Sequence, residues 1–149
     1  MMMTDRPDTL RRYRVEVRRV DETHALASSH GFTLSLGVRR GDPSAGFNAA
    51  ETLLAALGAC ITTNINSLAA KMRLRVDDVR VDLVGYRQDN PPGIVRIDCT
   101  VTLVSPEPEE KLHRLDDLAF KYGTVTNTLP ERTDLRRTLR IERPATQGV

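Results

Sequence analysis

Two cysteines, Cys60 and Cys99, are the side chains in this 149-residue chain best suited to covalent chemistry, because a thiolate is a good nucleophile near neutral pH. Two are too few for a disulfide framework, or for a zinc module with its four clustered ligands. They sit in unlike settings. Cys99 falls in the run Ile94 to Val104, where Val95, Ile97, Cys99, Val101 and Leu103 alternate with Arg96, Asp98, Thr100 and Thr102. That pattern turns Cys99 toward a core, where cysteine behaves as a small hydrophobe. Cys60 sits in Leu53-Leu-Ala-Ala-Leu-Gly-Ala-Cys60-Ile-Thr-Thr-Asn64. There the small residues Gly58 and Ala59 leave room for a ligand. A reactive thiol is ionised by a nearby cation or a helix N-terminus, and Cys60 lies more than two turns inside its predicted helix. The cation must come from elsewhere, with Arg39 and Arg40 as candidates and Arg18 and Arg19 behind them.

Other chemistries find less support. His24, His30 and His113 fall in three different elements without metal-ligand spacing, so no metal is expected. No glycine-rich phosphate loop or Walker lysine is present, and no cofactor is implied. Gly58-Ala-Cys60-Ile-Thr62 lies within a helix, whereas a nucleophile elbow needs a strand-to-helix turn. Arginine outnumbers lysine 19 to 3, with clusters at Arg11–Arg19 and Arg132–Arg143. The net charge is only +2, aromatics are 4% and acids are interspersed, which favours solvated strand faces over nucleic-acid binding. No apolar run approaches the roughly 18 residues that span a bilayer, and residues 1–8 lack a secretory apolar core. A soluble protein of a reducing cytoplasm, with no membrane partner, is expected.

The elements that must position these residues follow from periodicity. Tyr13 to Val20 and Phe32 to Val38 alternate as half-buried strands, with a short middle strand at Glu22 to Ser28. Gly41, Asp42, Pro43, Ser44 and Gly46 mark a loop. A long helix follows from Ala49 to about Lys71, with Asn48 and Glu51 placed as a capping box. At about 1.5 Å per residue it is roughly 34 Å long and must cross the core. Leu53, Leu54, Leu57, Cys60, Ile61, Asn64, Ile65, Leu68 and Met72 form its apolar arc, Cys60 and Asn64 at one border. Ala59, Thr62, Asn66 and Ala69 give a small-residue face on the other side. A hairpin, Val79 to Arg87 and Ile94 to Val104, closes at Asp89-Asn-Pro-Pro-Gly93. A second helix spans Pro108 to Tyr122 with Leu112, Leu115, Leu118 and Tyr122 on one stripe, and Gly123 reads as a left-handed residue ending it. A last strand lies near Leu135 to Ile141. The order β-β-β-α-β-β-α-β is α+β, with antiparallel strands and both helices on one side. One domain over 1–149 is expected, with residues 1–10 and 143–149 as frayed tails.

The stretch Gly46-Phe-Asn-Ala-Ala-Glu-Thr-Leu-Leu-Ala-Ala-Leu-Gly-Ala-Cys60 resembles the first cysteine signature of the OsmC/Ohr family, the osmotically inducible and organic hydroperoxide resistance proteins. Leu118-Ala-Phe-Lys-Tyr-Gly-Thr-Val-Thr-Asn-Thr-Leu129 is similar to that family's second cysteine motif, in which Lys-Tyr-Cys-Pro-Val precedes Asn-Thr-Leu. The resemblance implies an OsmC-like subunit in an intertwined homodimer around a long central helix, with the site at the subunit interface. It also implies hydroperoxide reduction by a peroxidatic thiol, at Cys60, and a resolving thiol. The resolving position falls on Gly123. The carboxylate that pairs with an activating arginine in well-studied branches falls on Ala50, with Glu51 next to it. Nine residues at about 100° each put Glu51 on the opposite side of the helix from Cys60, so Glu51 is better read as a cap.

Two functions compete on these residues. One is reduction of organic or hydrogen peroxide through Cys60 alone, in oxidative-stress defence. An external thiol, or Cys99 if its Cα lies within roughly 4.4 to 6.8 Å of that of Cys60, would restore the thiol. The alternative is a non-catalytic binding protein holding a small hydrophobic ligand beside Cys60.

Overall fold

The computed structural model describes residues 10–145, so most of the expected tails lie outside the described residues. The chain forms two compact units, the first ending at Ala49 and the second beginning at Ala50.

In the first unit, β1 (Glu16–Arg19), β2 (His24–Ser29) and β3 (Phe32–Gly37) make an antiparallel meander. β1 is shorter than its alternation predicts because only Glu16 to Arg19 find partners, Ala25 to Ser28, on β2. The β1–β2 turn is organised by Asp21, whose carboxylate accepts from the Thr23 and His24 amides, each at 2.8 Å. These bonds, led by those of Thr23, hold its carboxyl far below the usual range. The register puts Val17, Ala27 and Leu34 across from one another, and Arg19, Ala25 and Leu36 likewise. One sheet face is therefore largely apolar. Gly37 is required where β3 meets the Pro43–Ala45 single-turn helix: a Cβ there would lie 3.1 Å from the Gly46 carbonyl oxygen and 3.2 Å from Ala45.

The second unit is built around α1 (Ala49–Met72), followed by β4 (Asp78–Asp89), β5 (Pro92–Val104), α2 (Glu109–Lys121), α3 (Thr124–Thr128) and β6 (Asp134–Glu142). Leu57, Ile61, Ile65 and Ala69 recur every fourth residue and are buried, meeting Ile97, Cys99, Val101 and Leu103 of β5 and Leu112, Leu115, Ala119 and Phe120 of α2. Ala69 thus belongs to the core and not to the small-residue face on which spacing had put it. Gly58 is where Leu83 of β4 comes close, 3.0 Å from where a Cβ would be, so its missing side chain serves helix-on-sheet packing rather than a ligand. By length and composition α1 is apolar enough to cross a membrane, although no uninterrupted run suggests it. Its alanines raise the mean hydropathy around Thr62, Thr63, Asn64, Asn66 and Ser67, and its buried stripe is that of a core helix.

Four expectations about direction, facing and boundaries are corrected. β6 pairs with β5 in parallel, not antiparallel, because α2 and α3 carry the chain back over the sheet as a crossover. Tyr122 is 63% exposed and off the stripe. The buried arc of α2 centres instead on Leu112, Leu115, Asp116, Ala119 and Phe120. In β5 the register shift opposite Tyr86 and Arg87 makes Val95 the extra residue of a bulge, and Ile94 joins the core in its place. Arg143, placed in a tail, donates to the carbonyls of Ser105, at 3.1 Å, and Glu107.

Across the sheet, Leu83, Cys99 and Arg137 form one row facing the helices. A guanidinium in such a row needs counter-charge. Arg137 finds it in Asp116, at 2.8 Å, and Asp117, at 3.1 Å, while lying 3.9 Å over the Phe120 ring. Burial pushes the Asp116 carboxyl up, against the opposing pull of Arg137, and its Oδ1 has no hydrogen-bond partner. A group whose pKa is higher folded than unfolded contributes fully below the unfolded value, and that contribution is lost as pH rises through the folded one. Relative to Asp116→Asn, the wild type should therefore be most favoured below about pH 4 and lose ground as the pH rises from there into the neutral range. Chemical denaturation across that range checks it, and a constant difference would contradict it.

Candidate functional site

Cys60 lies on α1, part-buried and outside any disulfide. What faces it is the end of α2. A helix leaves its last carbonyls without intrahelical partners, and here the C-terminal carbonyls of α2 are met largely by side chains. Asn64 Nδ2 donates to the Ala119 carbonyl at 3.1 Å. The Thr126 hydroxyl shares its hydrogen between the carbonyls of Phe120, at 2.7 Å, and Gly123, at 3.0 Å. Asn127 Nδ2 reaches the Lys121 carbonyl at 2.9 Å. With those carbonyls satisfied, no left-handed residue is needed. Gly123 adopts φ −80°, ψ 137° and starts α3, correcting the expectation that it ends α2 in a left-handed conformation.

Gly123 is glycine for a different reason. A Cβ at this position would lie 2.2 Å from Thr126 Oγ1 and 3.0 Å from both Asn64 Nδ2 and Cys60 Sγ. The backbone of position 123, the resolving position implied by the family resemblance, thus sits directly against the Cys60 sulfur. Asn64 Nδ2 also approaches that sulfur at 3.9 Å. Cys60, Asn64, Gly123 and Thr126 form one cluster at the α1–α2–α3 junction. Only Cys60 and the position of Gly123 were singled out by sequence. Asn64 was legible as the residue one helical turn beyond Cys60, and Thr126 carried no signal of its own.

The remaining expected residues are placed as follows. Asn48 immediately precedes α1, and Glu51 lies in its first turn. Arg39 and Arg40 are exposed in the first unit, after β3, where Arg39 helps hold the Asp42 carboxyl low, behind the hydrogen bonds from Ser44. Cys99 is 1% exposed, and burial pushes its thiol up to about 11, only partly opposed by Arg137. It packs as the core residue that its alternation predicts and stays protonated at neutral pH. Several arginines weighed for nucleic acid are engaged within the chain: Arg18 with Glu16, Arg136 with Asp134, and Arg137 with Asp116 and Asp117. An open groove in the first unit, lined by Arg12, Tyr13, Arg14, Glu16, Ser28 and His30 among others, does not include Cys60.

Two opposed effects meet at Gly123. Replacing glycine by alanine at an ordinary φ stabilises by about 0.4–1 kcal/mol through the unfolded chain, whereas forcing a methyl into filled space costs about 1–3 kcal/mol. With Thr126 Oγ1 pinned between two carbonyls, the clash should win, so Gly123→Ala is expected to lower stability in urea titration. Adding Thr126→Ala should make the double variant less destabilised than the sum of the singles. Strict additivity would contradict this packing.

Comparison with known proteins bears on the same stretch of chain. The family model described as OsmC-like protein matches residues 41–136, which include Cys60 and the α2–α3 junction. The curated hydroperoxide reductase of Mycoplasma genitalium is 28% identical over 113 residues, covering 73% of this chain and 80% of that relative. Among solved structures, the OsmC-like protein of Mycoplasma pneumoniae has a TM-score of 0.79 at 21% identity, covering 89% of this chain and 97% of that one. The organic hydroperoxide resistance protein OhrB of Bacillus subtilis has a TM-score of 0.63 at 16% identity, covering 87% and 98%. The structural neighbours share the α+β fold, and the family match over most of the chain shows that this protein belongs to the OsmC-like protein family.

Proposed function

We propose that the protein is a one-cysteine thiol peroxidase that reduces organic or hydrogen peroxides through Cys60. The carrying observation is the juxtaposition of a part-buried Cys60 sulfur with a position, Gly123, that holds no side chain. The names of its relatives, hydroperoxide reductase and organic hydroperoxide resistance protein, support the substrate class.

The steps balance with a thiol as electron donor. The Cys60 thiolate attacks one peroxide oxygen. An S–O bond forms, the O–O bond breaks, and the leaving alkoxide takes a proton to become alcohol, giving Cys60 sulfenic acid. An external thiol then condenses with the sulfenic acid, releasing water and forming a mixed disulfide. A second thiol releases Cys60 and leaves as the oxidised disulfide. The donor has to be external in this reading, because position 123 is glycine, and Cys99, the other candidate resolving thiol, is buried and protonated. Low-molecular-weight or lipoyl thiols fit, and the reducing cytoplasm is where they are maintained. In this reading Arg39 and Arg40 are the candidate activating cations.

The functional unit in this reading is a homodimer. Phe32 is 72% exposed, and with Val17 and Leu34 it lies on one side of the first unit's sheet, an apolar surface that a monomer rarely leaves to solvent.

Peroxide consumption with dithiothreitol or dihydrolipoamide tests the activity. Cys60→Ser should lose ~100-fold or more in turnover, while Cys99→Ser keeps it. Equal turnover by wild type and Cys60→Ser would overturn the proposal. Light scattering should give twice the 16.6 kDa chain mass, falling to the monomer in the Phe32→Asp/Leu34→Asp variant. A monomeric wild type would remove the dimer.

A further inference from the structure

We propose that Asn64 is a residue of the thiol site in its own right: its side-chain amide is the donor that holds the ionised Cys60 sulfur. The inference rests on the reading of Cys60 as the reactive thiol and names a group that supports it.

Cys60 stands far inside α1, which begins at Ala49, so the helix dipole, whose effect fades within about the first turn, gives its thiolate little help. Asn64 is one turn further along the same face, the spacing at which side chains on a helix meet. Which end of the Asn64 amide faces the sulfur is settled by chemistry. The Ala119 carbonyl can only accept, so the atom 3.1 Å from it must be the NH2 nitrogen. That nitrogen, with a second hydrogen to give, is the one 3.9 Å from Cys60 Sγ. Toward a neutral thiol such a long contact is weak. Hydrogen bonds to an ionised acceptor are shorter and roughly twice as strong, so the contact favours the thiolate over the thiol. Anchoring on Ala119 means that the donor is already oriented and that little side-chain freedom is lost when the sulfur ionises. Gly123 completes the arrangement, since a Cβ there would touch both the nitrogen and the sulfur at 3.0 Å.

A purely structural role for Asn64, tying α1 to the end of α2, predicts lower stability without altered thiol chemistry. Iodoacetamide alkylation of Cys60, followed by mass spectrometry as a function of pH, separates the two. In Asn64→Leu, of similar size without a donor, the alkylation rate at neutral pH should fall ~10-fold, and raising the pH by about one unit should restore it. Asn64→Asp, which presents oxygen to both the Ala119 carbonyl and the sulfur, should fall further. Unchanged alkylation profiles in folded variants would overturn the inference. If neither variant folds, the wild type still tests it. The Asn64 side-chain amide proton resonances should move with the ionisation of Cys60 in an NMR titration, and resonances indifferent to it would overturn the proposal. Neither experiment uses peroxide. Altered alkylation in a protein that consumes no peroxide would defeat the peroxidase reading alone, whereas turnover with unaltered alkylation would defeat this inference alone.

Discussion

The seam between α1 and the end of α2 is the constraint on which the site depends. Two elements far apart in sequence are brought to sulfur distance by one side-chain hydrogen bond, Asn64 to the Ala119 carbonyl, and by the absence of a side chain at Gly123. The bond does two things. It satisfies a carbonyl that the end of a helix would otherwise leave open, and it fixes the nitrogen that also faces Cys60. Thr126 and Asn127 satisfy the neighbouring carbonyls, so the turn into α3 is set by hydrogen bonding rather than by a left-handed glycine.

Behind that seam lies a rigid frame. α1 crosses the sheet where Gly58 and Gly85 let Leu83 and Leu54 come close, and its buried stripe is shared with β5 and α2. Close packing of this kind resists small displacements, so Cys60 and Asn64, at the border of the stripe, inherit a fixed position. Arg137 tethers α2 from the other side. It reaches from the core-facing row of the sheet to Asp116 and Asp117 and stacks on Phe120, the residue whose carbonyl Thr126 holds. The two longer helices and the short third one thus meet at one sulfur, with the sheet packed behind them.

Periodicity carried most of the fold. The three-strand meander, the long helix, the hairpin and the second helix are all legible from alternation and from spacing of three or four residues, and Cys99 lies where its alternation puts it. Direction was not legible. Alternation is the same for a parallel and an antiparallel strand, so β6 could be located but not oriented. Small residues were ambiguous for a related reason. Gly58 read as room for a ligand and Ala69 as part of a small-residue face away from the apolar arc, yet Gly58 packs against the sheet and Ala69 lies in the core, because a helix approaching a sheet needs small residues as much as a ligand does. The site was half legible: Cys60 stood out by residue type and by family resemblance. Asn64 became part of it only when the fold supplied Ala119, a residue 55 positions away.

The central claim is that Cys60 is oxidised by peroxide and is not resolved within its own chain. Exposing the reduced protein to one equivalent of an organic hydroperoxide in the presence of dimedone, then mapping adducts by peptide mass spectrometry, tests it directly. The account predicts a dimedone adduct on the Cys60 peptide and an unmodified Cys99. A Cys60 peptide free of adduct, or one joined by a disulfide to the Cys99 peptide, would contradict it.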